Sequence, residues 1–180
     1  MYNQHFCEQF NVCSGFSPVA MNTNPGPTSD WVSLRDYGRC TFIFIKAAGT
    51  AGDDPTLSLK QATAVAGTSS KALALNTIYK KQAATNLFSV GTYTKSTAAS
   101  SATNDTFVEA SGTWTNSTLA EETAIVIIDV KAEDLDTDNN FDCVQVSVGD
   151  VGTNAQLGTL IYILGDPRYQ KDALVSPIID

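Results

Sequence analysis

Thr41-Phe42-Ile43-Phe44-Ile45 is the stretch on which the fold turns. Side chains along a β-strand point to opposite faces in turn. A strand with one wet face therefore reads apolar, polar, apolar. After Thr41 this stretch puts a large apolar group on both faces. Ala124-Ile125-Val126-Ile127-Ile128 and Leu160-Ile161-Tyr162-Ile163-Leu164 do the same. Each of the three needs a cover on its second face, and the identity of that cover bears directly on function.

Around these runs the chain is punctuated like an all-β protein. Trp31-Val32-Ser33-Leu34 is a short strand, and Arg39 to Lys46 is the first two-faced one. The Gly- and Pro-bearing loop 49–55 leads to Thr56-Leu57-Ser58-Leu59-Lys60-Gln61-Ala62, which alternates as a half-wet strand should. A hairpin is expected between the two. Further strands are expected at 72–80, 87–94, 106–109, 112–115, 143–148 and 157–164. Lys95 to Asp105 is small, polar and of low complexity, and is expected to be an exposed internal loop. Thr118-Leu119-Ala120-Glu121 has capping-box spacing, which predicts one helical turn before the Ala124 strand. The tail from Asp166 to Asp180 contains Pro167 and Pro177 and reads as irregular. Strands at short intervals, with Gly, Asn and Asp turns and no useful helical period, predict an antiparallel β-sandwich or jelly roll.

Residues 1–30 differ in style from 31–180. Asn22 to Asp30 is dense in turn formers, yet Tyr2, Phe6, Phe10, Phe16, Val19 and Met21 precede them. A freely solvated tail has no need of so many apolar groups. The segment reads as an extended N-terminal arm lying either on another molecule's surface or back on its own domain, with 31–180 as the sandwich.

The chain has 180 residues and a formal net charge of -8, with a pI near 4.5. Such a surface repels phosphate backbones and anionic lipid, which argues against nucleic-acid and membrane partners. No run approaches the ~20 apolar residues that span a bilayer. Met1-Tyr2-Asn3-Gln4-His5 lacks a basic start and an apolar core, so export through a secretory signal is not expected. Cys7, Cys13, Cys40 and Cys143 match no zinc or redox spacing and are expected as free thiols.

Little in the chain points to chemistry. Asp134, Asp136, Asp138 and Asp142 place oxygens at near-alternate positions, as a calcium loop does. An EF-hand loop starting at Asp134 would need Gly at its sixth position and Glu at its twelfth; Asn139 and Gln145 stand there. The bland alternative is an Asp/Asn-rich turn. His5 is the sole histidine and sits near Cys7 and Cys13, too few groups for a triad or a complete metal set. No nucleophile elbow, phosphate loop or dinucleotide fingerprint occurs. Trp31 and Trp114 could stack on a sugar or serve as core anchors. No catalytic residue and no cofactor is named, and an enzyme is the least favoured class.

Ser33-Leu34-Arg35-Asp36-Tyr37-Gly38-Arg39-Cys40, continuing through Lys46, and Asp53 to Ala62 look familiar in order and style. With Asp142-Cys143-Val144 and Pro167-Arg168-Tyr169, they resemble small virion proteins of tailed bacteriophages, and within these the head-decoration or cement proteins. The resemblance spans most of 33–169 and carries no catalytic residues. It implies a β-rich subunit on a capsid lattice, with the major capsid protein as partner, often as a homotrimer or other homo-oligomer, assembled in the bacterial cytoplasm and residing in the virion.

The two-faced strands and the apolar arm lead the same way. Neighbouring subunits would cover both, with Phe6, Phe10 and Phe16 of the arm and Phe42, Phe44, Ile125, Ile127 and Tyr162 of the strands at the subunit interface. Burying ~600 Å² of apolar surface contributes ~15 kcal/mol gross before association costs. The alternatives are a loop or helical turn of the same subunit as cover, a head–tail connector or tail component, and a carbohydrate-binding or adhesive sandwich using Trp114 and the 134–142 loop.

Overall fold

In the computed structural model, which describes residues 5–23, 26–169 and 174–178, the strands lie in two antiparallel sheets packed face to face. Tyr2, Asn24, Pro25 and residues 170–173 and 179–180, touched on above, lie outside the described residues. Among the described residues the strands are β1 (Asn11–Ala20), β2 (Val32–Ser33), β3 (Tyr37–Lys46), β4 (Leu57–Ala62), β5 (Lys71–Ala72) and β6 (Thr77–Ala83). They continue with β7 (Thr94–Thr97), β8 (Asp105–Val108), β9 (Thr113–Asn116), β10 (Thr123–Lys131), β11 (Cys143–Val148) and β12 (Leu157–Pro167). One helical turn, α1 (Phe6–Gln9), precedes them.

The first sheet has the order β1-β12-β3-β10-β6-β7, and the second β2-β11-β4-β9-β8 with β5 beside β4. The pairings are nested: β1 with β12, β2 with β11, β3 with β10 and β4 with β9. Successive strands from β1 to β4 thus alternate between the sheets, and their partners return in reverse order.

This nesting overturns the expected hairpin. β3 and β4 lie in different sheets, and the loop between them crosses the sandwich edge. Three other local expectations change. Residues 87–93 form turns and coil, because no neighbouring strand offers them a ladder. Lys95–Thr97, expected as loop, joins Thr94 in strand β7, because β6 pairs with it from Thr77 to Lys80. Thr118–Glu121 is a turn without helix; β10 starts at Thr123, which leaves no room to propagate one. Of the two placements expected for the N-terminal arm, its described part takes the second, back on its own domain. Asn11–Ala20 is the edge strand of the first sheet, paired to β12, and Phe16 and Met21 are buried.

The core lies between the sheets. In the second sheet the alternation is regular: Leu57 and Leu59 of β4, Trp114 of β9, and Val144, Val146 and Val148 of β11 are buried. In the first sheet Phe42 and Phe44 of β3, Val126 and Ile128 of β10, and Leu160, Tyr162 and Leu164 of β12 face them. Phe42 meets Tyr162 edge to face, with ring centroids 4.8 Å apart at 77°, a favoured geometry for aromatic pairs. The Tyr162 hydroxyl donates to the Asp30 carbonyl at 2.9 Å, tying the core ring to the segment after β1. Segment 174–178 crosses the open edge beside β2, where the Ser33 N–H donates to the Pro177 carbonyl at 2.7 Å. The Tyr37 hydroxyl donates to the Val175 carbonyl.

Candidate interaction surface

The core uses only one face of β3, β10 and β12. Their other face carries Ile43 and Ile45, Ile125 and Ile127, and Ile161 and Ile163. Ile45 is 36% exposed and the other five are half-buried. The register assembles them side by side. Ile43 lies opposite Ile127 on one flank and Ile161 on the other. Ile45 lies opposite Ile125 and Thr159, and Thr41 opposite Asp129 and Ile163. The central row continues to Ser14 on β1 and to Tyr79 and Lys95 on β6 and β7. Val12, opposite Ile163, extends the patch and is itself exposed.

The two sheets differ in kind. The outer face of the second sheet carries Ser58, Lys60, Thr113, Thr115, Gln145 and Ser147, with Ser58 opposite Ser147 and Thr113. That is an ordinary wet face. The isoleucine face has no charge at its centre, although the chain carries a net charge of -8. Strands spaced ~4.8 Å apart, each rising ~3.4 Å per residue, give its uncharged part an area on the order of 400 Å² in plan. That area is the size of the largest apolar patch on an ordinary monomer, ~300–600 Å², and such patches are often functional. It amounts to about half of the ~800 Å² that each partner contributes to a standard interface.

Charge appears only at the margins. Lys81 and Lys95 stand on the β6–β7 side, each over an aromatic ring: Lys81 is 4.5 Å from the Tyr93 centroid and Lys95 is 6.0 Å from that of Tyr79. Arg39 pairs with Asp166 and Lys131 with Glu133 at the far end of the strands. Thr41 Oγ1 donates to Asp129 at 2.6 Å. Beyond β6, Phe88 is 95% exposed. At the Gly165 end, Phe6 stacks on Phe10 with centroids 4.9 Å apart, and Phe6 is 52% exposed.

The expected interface residues divide. Ile125 and Ile127 lie on the open face, and Phe6 and Phe10 flank it. Phe16, Phe42, Phe44 and Tyr162 do not: all four are buried in the chain's own core, out of reach of any neighbour. The sequence reading overlooked Ile43, Ile45, Ile161 and Ile163. Their runs were singled out, but a run with no polar member has no phase.

Sheet edges are poor alternatives for association. β1 carries Pro18 and breaks register between Ser14 and Phe16 and again between Phe16 and Val19. Such proline and bulge devices block strand addition. The other edges, β2, β7 and β8, are two to four residues long.

The acidic loop does not assemble a calcium cage. Asp136 pairs with Lys71 and accepts the Asn139 amide at 2.8 Å. The bonds from Lys71 and Asn139 hold its carboxyl below the usual range. Asp134 accepts the Lys131 N–H at 2.9 Å, and Asp142 pairs with Arg35. Asp138 is exposed. Among the described residues no three His, Cys, Asp or Glu side chains gather as a metal site. Trp114 is fully buried and offers no platform for a sugar. Cys7, Cys13, Cys40 and Cys143 form no disulfide, and burial pushes the Cys40 thiol well up. Among the described residues no helix is long and apolar enough to cross a membrane. No protein-family model, curated protein or solved structure matches the chain.

Proposed function

We propose that this protein is a non-enzymatic structural subunit of a tailed-bacteriophage virion, a decoration or cement subunit that stabilises the head lattice through subunit contacts. One observation carries the proposal: the outer face of the first sheet is built from isoleucine, while the equivalent face of the second sheet is built from Ser, Thr, Gln and Lys. Isoleucine suits a strand on either face, but six half-wet isoleucines side by side are more apolar surface than a wet sheet face carries, as the second sheet shows. They acquire a purpose when neighbouring subunits cover them, in a homotrimer or other homo-oligomer seated on the major capsid protein. The nested strand pairing supports a jelly roll, an architecture shared by viral capsid and lectin domains. Fold alone does not give function, so the apolar face carries the weight, together with the sequence resemblance.

The test is where the chain sits on purified particles. Antibody labelling viewed by electron microscopy should mark the head surface. Labelling confined to the neck or tail would favour a connector or tail component. No labelling, together with binding on a glycan array with or without calcium, would favour a carbohydrate-binding sandwich and overturn the proposal.

A further inference from the structure

The sandwich holds a buried polar cluster that the interaction surface does not use. Lys80 on β6 points inward from the first sheet. Asp105 on β8 and Asn116 on β9 point inward from the second and stand opposite each other in its ladder. Lys80 Nζ donates to Asp105 Oδ1 at 2.7 Å, and Asn116 Nδ2 donates to the same oxygen at 2.7 Å. The amine and the amide are therefore within two hydrogen-bond lengths of each other, bridged by one carboxylate. The side chains of Lys80 and Asp105 are 6% and 0% exposed, and Asn116 is fully buried. The Trp114 ring lies 5.9 Å from Nζ and helps to exclude water.

Two details separate this cluster from a plain buried ion pair. Asn116 Oδ1 accepts two hydrogen bonds, from the Thr118 N–H at 3.0 Å and from Thr118 Oγ1 at 2.9 Å. Donors so placed polarise the amide carbonyl and would stabilise an oxyanion formed there. Asp105 Oδ2, by contrast, is buried without a hydrogen-bond partner. A buried carboxylate with one oxygen bare is costly; a carboxyl group that takes up a proton avoids that cost.

We propose that Lys80 and Asn116 form an intramolecular isopeptide bond, with Asp105 transferring the protons. The ammonium of Lys80 passes a proton to Asp105, and the freed Nζ lone pair attacks Cγ of Asn116. The oxyanion on Oδ1 is held by the two Thr118 donors. The Nζ–Cγ bond forms and the Cγ–Nδ2 bond breaks. Nδ2 leaves as ammonia with its own two hydrogens and one more from Nζ, relayed by Asp105, and Asp105 finishes protonated. No oxidant or co-reactant takes part. The product is a covalent tie between the two sheets, independent of which partner covers the isoleucine face.

Intact-mass spectrometry of the purified, folded, full-length chain under denaturing conditions tests this. The chain should be lighter than its sequence dictates by one ammonia, and peptide mapping should join the Lys80 and Asn116 peptides. The variants Lys80→Arg and Asp105→Ala should both keep the full mass. Asn116→Asp should lose one water and form the same link. A wild-type chain of full mass overturns the proposal. So does a loss of ammonia that persists in Lys80→Arg, which would be cyclisation at an asparagine, or a loss of water that maps to Lys80 and Asp105.

Discussion

Lys46, at the end of β3, shows how one side chain fixes a turn. Its ammonium is buried and donates to three backbone carbonyls, of Leu119 at 2.6 Å, Ala120 at 3.2 Å and Glu122 at 2.5 Å. These belong to the turn that replaces the expected helix before β10. Burial pushes the group down from 10.5 to about 8. Between those two values the unfolded chain binds the extra proton, so stability rises with pH across that window. Below about pH 8 the charged form carries a desolvation cost of up to ~3 kcal/mol at ~1.4 kcal/mol per pH unit. The stability advantage of the wild type over Lys46→Met should therefore widen between pH 7.5 and pH 10, as followed by urea unfolding. A constant difference would mean that Lys46 titrates normally. Tyr162 offers a second residue-scale test. Tyr162→Phe leaves the Asp30 carbonyl without its donor and should cost about 1–2 kcal/mol in the same assay.

At the scale of the strand, the two faces of β3 should respond differently to substitution. Phe44→Ala opens a cavity between the sheets and should lower stability by about 3–5 kcal/mol. Ile43→Lys, one residue earlier, places its charge on the open face. It should change the unfolding free energy of the separated subunit by less than about 1 kcal/mol, with far-UV circular dichroism unchanged. Similar losses from both would mean that Ile43 is part of the core. The same contrast explains what could be read from the sequence. Leu57-Ser58-Leu59-Lys60 alternates, so both its strand character and its inward face were legible. Phe42 to Ile45 does not alternate; its strand character and its need for a second cover were legible, but not which residues face out. Phe42, Phe44 and Tyr162 were therefore expected at the interface and lie in the core. Nothing local could pair β1 with β12 or send β4 to the opposite sheet, because those contacts join residues far apart in the chain. Lys80, Asp105 and Asn116 come together for the same long-range reason, and no spacing announces them.

For the whole molecule, an acidic chain with one wet sheet and one apolar sheet is asymmetric. Its edges are short or interrupted by Pro18 and register breaks, which disfavours growth by strand addition; in the proposed function, association therefore falls to the isoleucine face. A double variant, Ile43→Lys with Ile127→Lys, puts two charges opposite each other at the centre of that face. The most direct test is light scattering of the full-length protein at micromolar concentration, wild type beside the double variant. The wild type should give a multiple of 19.2 kDa, and the double variant a folded species of 19.2 kDa. A wild-type protein that scatters as a single chain would contradict the claim that this face is made to be covered by neighbouring subunits.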